Sequence, residues 1–147
     1  MREIKLNTIE IDGESYPLYC DLLVLEQIQE QYVSINQFER DLLGYVILKD
    51  GNGNPLRNEN GTFKMVQTEP RMKTIMLGLE LMINEGIRID NKQTGAEREY
   101  ITKEYLAEVN ERPYTELSDI LHEEFNRCFA VKKNSTVKTK TKKNTLK

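Results

Sequence analysis

The stretch TEPRMKTIMLGLELMINEG, residues 68–86, does most to narrow the folds open to this chain. At about 100° per residue, Met72, Ile75, Met76, Leu79, Met82 and Ile83 fall on one helical face, and Leu77 and Leu81 fall opposite with Lys73. Pro70 suits the first helical position, where its missing N–H is not needed, and Gly86 suits a left-handed C-cap. The spacing therefore predicts a helix over 70–86 that is apolar on two sides. Such a helix is either buried centrally or lends its second side to a partner. Methionines at this spacing fill core gaps, so Met72, Met76 and Met82 are expected in the core, while Leu77 and Leu81 are candidate partner-binding residues.

The elements around it predict an α+β domain. Ile9 and Ile11 alternate with Glu10, DGES supplies a turn, and Tyr16, Leu18 and Cys20 alternate on the return, the pattern of an N-terminal β-hairpin. Pro17 lacks a ladder donor and makes the second strand an edge or a strand paired on one side. Asp21 is the expected N-cap of a helix carrying Leu22, Leu25, Ile28 and Tyr32. Ser34 with Gln37 forms a capping box for a second helix that Gly44 stops. DGNGNP and NENGTF repeat at an eight-residue offset, which predicts two turns in a small β-meander. Its strands fall near 45–49 and 63–67, with a short piece near Leu56, because a long structureless loop is uncommon in a compact domain. After Gly86, Ile87 and Ile89 form a short alternating stretch before the polar loop DNKQTGAERE. Thr102 caps a short helix, and Pro113 opens the last one. Its stripe is Tyr114, Leu117, Ile120, Leu121, Phe125, Cys128 and Phe129, opposite a polar face of Glu116, Asp119, His122, Glu123 and Arg127.

At 147 residues the chain suits one domain, placed at 1–131. Residues 132–147, KKNSTVKTKTKKNTLK, hold seven lysines and no acid, and are expected to be a disordered basic tail. Removing those lysines leaves 14 Lys+Arg against 24 acids, so the body carries about −10 although the whole chain is only −3. An acidic body argues against a specific nucleic-acid interface. The tail has three readings: contact with phosphates by charge alone, folding back on the acidic body, or a solvated end. No apolar run approaches the roughly 18 residues of a membrane helix, and MREIKLNTIEIDGE has no signal-type stretch, so the expected setting is a cytoplasm.

The sequence offers little chemistry. Cys20 and Cys128 lack zinc or redox spacing and are expected as two reduced cysteines. His122, the sole histidine, sits on the polar face of the last helix and is expected as a surface residue. Asp50, Asn52 and Asn54 match the first ligands of a calcium loop, but Pro55 and Gly61 stand where its glycine and glutamate belong. Glu104 with Glu108, and Glu123 with Glu124, read as solvated helix faces. No catalytic residue, metal or cofactor is assigned, and the expectation is a non-enzyme.

In order, IEIDGESYPLYCD, LLVLEQIQEQYVSINQFERDLLG, a polar turn insertion and EPRMKTIMLGLELMINEGIRIDN resemble the tail assembly chaperones of long-tailed bacteriophages and prophages of Gram-positive hosts. The run MINEGI, residues 82–87, contributes most, and the likeness spans about residues 9–91. It departs at Val33, where a glycine would end the first helix. The resemblance implies a host-cytoplasmic, non-catalytic protein, absent from the mature virion. Such a protein binds the tape-measure protein and the tail-tube protein and keeps them soluble until the tail polymerises, and a homo-oligomer is compatible with that role. Exposed apolar surface for a helical client is then expected at Leu77, Leu81, Phe125 and Phe129. The family is often made in two lengths by a ribosomal frameshift, and Lys-Lys-Asn at 132–134 and 142–144 is compatible with slippery codons. The rival readings are a structural tail or head-completion subunit and a small nucleic-acid-binding regulator.

Overall fold

The computed structural model describes residues 3–128. Asp12 and Gly13 adopt positive φ of 54° and 74°, the two-residue turn that matches strand twist and that Asp-Gly favours. They join β1 (Asn7–Ile11) to β2 (Glu14–Leu18) in an antiparallel pair with Ile9 opposite Tyr16. Ile9, Ile11, Tyr16 and Leu18 face inward and are buried. Pro17 lies opposite Thr8 in a two-stranded sheet, so its missing donor leaves no ladder bond unmade.

Asp21 caps α1 (Leu22–Gln31), accepting from the Leu23 and Val24 amides at 3.1 Å. No glycine is needed at Val33, because the helix ends with Tyr32 in extended backbone. Ser34 caps α2 (Ile35–Leu43) through the Gln37 amide, and the Gln37 side chain accepts from Val33 N, so the box closes just before Ser34. Gly44, at φ 83°, ends α2. There follow β3 (Tyr45–Ile47) and β4 (Met65–Gln67), paired antiparallel with Val46 opposite Val66. Between them isolated bridges join Lys49 to Pro55 and Arg57 to Phe63. Leu56 donates to Leu48 O while its own carbonyl accepts from Lys64. The two repeated turns are thus small lobes on either side of Leu56, and the outer strands pair with each other.

The long helix differs from its expected bounds. It is α3 (Met72–Thr94), with Arg71 at the N-cap, Pro70 outside the helix instead of at its first position, and Gly95 at the left-handed C-cap. Ile87 and Ile89 are helical and buried. Gly86 lies inside the helix because β2 crosses it there. A Cβ would sit 2.7 Å from the Pro17 carbonyl carbon and oxygen, and Tyr19 N donates to Met82 O at 3.0 Å. A close approach, not a helix end, explains this glycine.

Three side-chain amides on α3 hold neighbouring backbone in the manner of a strand bridge. Asn84 accepts from Ile101 N and donates to Ile101 O, both at 2.8 Å. Asn91 does the same to Arg98, two helical turns on, and Gln93 to Ile4. The segment after Gly95 therefore returns antiparallel along α3 into α4 (Lys103–Val109), capped by Thr102. Helix α5, residues 114–128, closes the core. Leu121 meets Gly78 of α3, and the Ser118 hydroxyl donates to the Leu42 carbonyl. The five helices and two small antiparallel sheets among the described residues make an α+β fold with α3 as its spine.

Candidate partner-binding surface

The two-sided apolar pattern of α3 is that of a central helix. Leu77 is buried, at 7% exposure, and Leu81 is half-buried against the core. The return segment and α4 lie on the side that carries Leu81 and Asn84. Phe125, 2% exposed, packs on Phe38 with ring centroids 5.7 Å apart, and Phe38 in turn meets Tyr32 edge-on. The expectation of exposed apolar surface at Leu77, Leu81 and Phe125 is therefore corrected. Their apolar faces are consumed by the chain's own core. Phe129 and the lysine-rich stretch 132–147 lie outside the described residues. Of the methionine stripe, Met82 is buried and Met76 partly so, but Met72 is exposed at the first turn, where α3 has only just entered the core.

Exposed apolar side chains gather instead on the arm formed by residues 45–67. Val46 and Val66, a cross-strand pair, are 49% and 45% exposed, and Tyr45, Leu48 and Met65 are exposed as well. Successive residues of a strand point to opposite faces. Tyr45, Val46, Ile47 and Leu48, apolar without a break, therefore load both faces of the hairpin. Among the described elements the arm's main contact with the body is through α2, and neither face is fully covered. Among the described residues its two outer strand edges are unpaired.

The root of the arm is firm. Thr68 donates to the Gly44 carbonyl through both its N–H and its hydroxyl, at 2.6 and 3.0 Å, and Arg71 N donates to the Asp41 carbonyl. At the far end Asp50 Oδ1 accepts from Asn52 N and Asn54 N, so the calcium-like residues satisfy their own turn. The Arg57 guanidinium lies 4.3 Å over the Phe63 ring. The result is a pre-shaped apolar surface on a fixed base, which lowers the ordering cost of binding.

Several ionisable groups elsewhere are engaged with one another. A cleft of about 760 Å³ between the β1–β2 hairpin and α5 ends on Glu124, a buried carboxylate. Glu124 accepts from Asn7 Nδ2 at 2.6 Å, from Cys20 N at 2.9 Å, and from Arg127, whose guanidinium also reaches the Cys20 carbonyl. Glu124 is thus a latch between sheet and helix, not the solvated residue expected from the sequence. Asp21 approaches Glu85, which Arg88 holds by two bonds of 2.7 and 2.8 Å. Burial and then the Glu85 hydrogen bond push the Asp21 carboxyl up to about 6. For Glu85 burial opposes ionisation, but Arg88 and Asp21 prevail and its pKa falls. His122 Nε2 lies 2.9 Å from Glu39 Oε2. Cys20 and Cys128 are free and buried, and they meet. Burial first, and the Cys128 thiol next, push the Cys20 thiol well up. Among the described residues no group of three or more His, Cys, Asp or Glu is placed to hold a metal ion, and no helix is long and apolar enough to cross a membrane.

No family model, curated protein or solved structure matches the chain.

Proposed function

We propose that this chain is a tail assembly chaperone of a long-tailed phage or prophage, a non-catalytic binding protein of the host cytoplasm. In this reading it covers apolar segments of the tape-measure protein, and of tail-tube subunits, until the tail polymerises. The sequence likeness over residues 9–91 supplies the class. The observation that carries the reading in physical terms is the exposed Val46–Val66 pair with Tyr45, Leu48 and Met65 on a hairpin held by a fixed root. A contiguous apolar surface on an otherwise charged protein marks an interaction site. An amphipathic client helix finds there two apolar faces and no deep groove to thread. The acidic body aids encounter with a basic client more than it adds affinity.

Co-expression with the tape-measure protein tests this reading. The chain is expected to keep that protein in the soluble fraction and to co-purify with it, and Val46→Asp with Val66→Asp to abolish both effects. The open edges of the arm also suit a structural tail subunit that adds a neighbour's strand. Stable presence of the chain in finished particles, with no effect on tape-measure solubility, favours that second reading.

A further inference from the structure

The β1–β2 hairpin leaves one edge open. Asp12 and Gly13 both hold positive φ between Ile11 and Glu14, the tight turn whose flanking pair exchanges both hydrogen bonds. Bonded and non-bonded pairs alternate along an antiparallel ladder. Ile9–Tyr16 and Asn7–Leu18 are therefore bonded pairs, and Thr8–Pro17 and Glu10–Ser15 are not. Pro17, with no N–H to give, falls at a non-bonded position, in keeping with this register. The N–H and C=O groups of Thr8 and Glu10 thus point away from β2. Among the described residues the one partner they meet is Arg112, whose Nε donates to the Glu10 carbonyl at 2.7 Å. This edge lines the cleft of about 760 Å³ whose far wall is α5. Side-chain bridges close the two ends, Asn7 to Glu124 and Arg112 to Glu10.

We propose that the outer edge of β1 takes an added strand, an extended segment of another protein in which apolar and basic residues alternate. The backbone dictates the extended form. Thr8 offers a complete donor–acceptor pair and Glu10 a donor, with the Glu10 carbonyl freed when Arg112 gives way. The side chains dictate the composition. Glu10 on the hairpin wall and Glu123 on the α5 wall are exposed and form no ion pair among the described residues. The two arginines of the cleft are already engaged, Arg112 by Glu116 and Arg127 by Glu124. The unmatched charge is therefore negative, and lysine or arginine in the added strand answers it. Ile120, half-buried on the α5 wall, seats an alternate apolar side chain. In the free protein Arg112 supplies the donor that a strand would bring and so guards the edge against indiscriminate pairing. The inference does not rest on the chaperone reading, since it concerns a different surface and any extended segment of this pattern satisfies it.

Titration of the full chain with an acetylated, amidated six-residue peptide of alternating valine and lysine, followed by amide NMR, tests it. The Thr8 and Glu10 amides are expected to shift and to exchange with solvent about tenfold more slowly, while those of Val46 and Val66 stay unchanged. Thr8→Pro removes one edge donor and no ladder bond, a change edge strands tolerate. It is expected to keep the parent's urea midpoint and to weaken binding about tenfold. Glu10→Lys/Glu123→Lys, at two exposed sites, gives a second reading. It is expected to lose the valine–lysine peptide and to accept one of alternating valine and glutamate. Unchanged exchange at Thr8 and Glu10, shifts spread over every acidic face, shifts centred on the arm, or a folded Thr8→Pro that binds as the parent does overturns the proposal. So does an edge that is already occupied. Thr8 and Glu10 amides protected in dilute free protein mean that the chain covers its own edge, and protection that sets in with protein concentration alone gives the edge to a second copy.

Discussion

The molecule holds two antiparallel hairpins of similar make, and they end in opposite situations. In β1–β2, apolar residues alternate with polar ones except at Pro17, so one face carries Ile9, Ile11, Tyr16 and Leu18 into the core, and of the other face Pro17 is buried against Gly86 while Thr8, Glu10 and Ser15 meet water. In β3–β4, apolar residues run consecutively, so both faces are apolar and the body covers neither fully. The first hairpin is tied across the sequence to α3 at Gly86 and to α5 through Glu124. Among the described residues the second is held at its root, by Thr68 on Gly44 and by Gln67 on the Leu43 carbonyl. Alternation leads a strand pair to pack, and its absence leads a strand pair to present. One hairpin is therefore built into the core, and the other keeps its apolar side chains exposed.

The largest effect is expected where the first hairpin meets α5. Glu124→Ala leaves Asn7 and the Cys20 amide without their acceptor and the Arg127 guanidinium with the Cys20 carbonyl alone, and breaking a mostly buried pair costs about 3–5 kcal/mol. A urea titration followed by circular dichroism reads this as a lower midpoint. Next come matched truncations. Ile11→Ala opens a core cavity and is expected to cost about 2–5 kcal/mol, whereas Val66→Ala on the arm is expected within about 0.5 kcal/mol of the parent. Equal losses at the two sites would remove the contrast between the hairpins. Gly86→Ala sets a methyl against the Pro17 carbonyl and is expected to cost about 1–3 kcal/mol through overpacking, despite the gain of about 1 kcal/mol in helix propensity.

A further effect depends on pH. Asp21 titrates at about 6 in the fold against its ordinary 3.8. The protonated carboxyl is thus favoured by folding. Its contribution is complete below the ordinary value and disappears as pH rises through about 6. Glu85, shifted downward, acts in the opposite sense: its contribution is present above its ordinary value and disappears as pH falls. Asp21→Asn keeps the N-cap and removes the falling limb between about pH 4 and 6. The variant is expected to gain up to about 1 kcal/mol at pH 7.5, a figure reduced for solvent screening, and nothing at pH 4. Thermal melts at the two pH values read the difference.

Much of this division was legible in the residues. The Asp-Gly turn, the caps at Asp21, Ser34 and Thr102, and the strands at 45–49 and 63–67 with a piece at Leu56 all rest on local chemistry, and local chemistry is what a sequence displays. The end of the long helix was not legible. Gly86 answers to the approach of Pro17, a contact across 69 positions that mimics the signal of a helix stop. Leu77, Leu81 and Phe125 seemed available for a partner because nothing local shows that the Asn84 and Asn91 bridges draw a covering segment back along α3, or that Phe38 meets Phe125. The arm was passed over although its signal was present. Apolar residues at every position of a strand, as in Tyr45–Ile47, need two covers, and a two-stranded hairpin on the edge of a helical body has neither in full.

The most direct measurement pairs folding with client solubility in one variant. Val46→Asp/Val66→Asp should keep the parent's urea midpoint to within about 1 kcal/mol, as exposed positions do, while the co-expressed tape-measure protein moves into the insoluble fraction. A variant that folds as well as the parent and still keeps the client soluble would contradict the assignment of recognition to the arm.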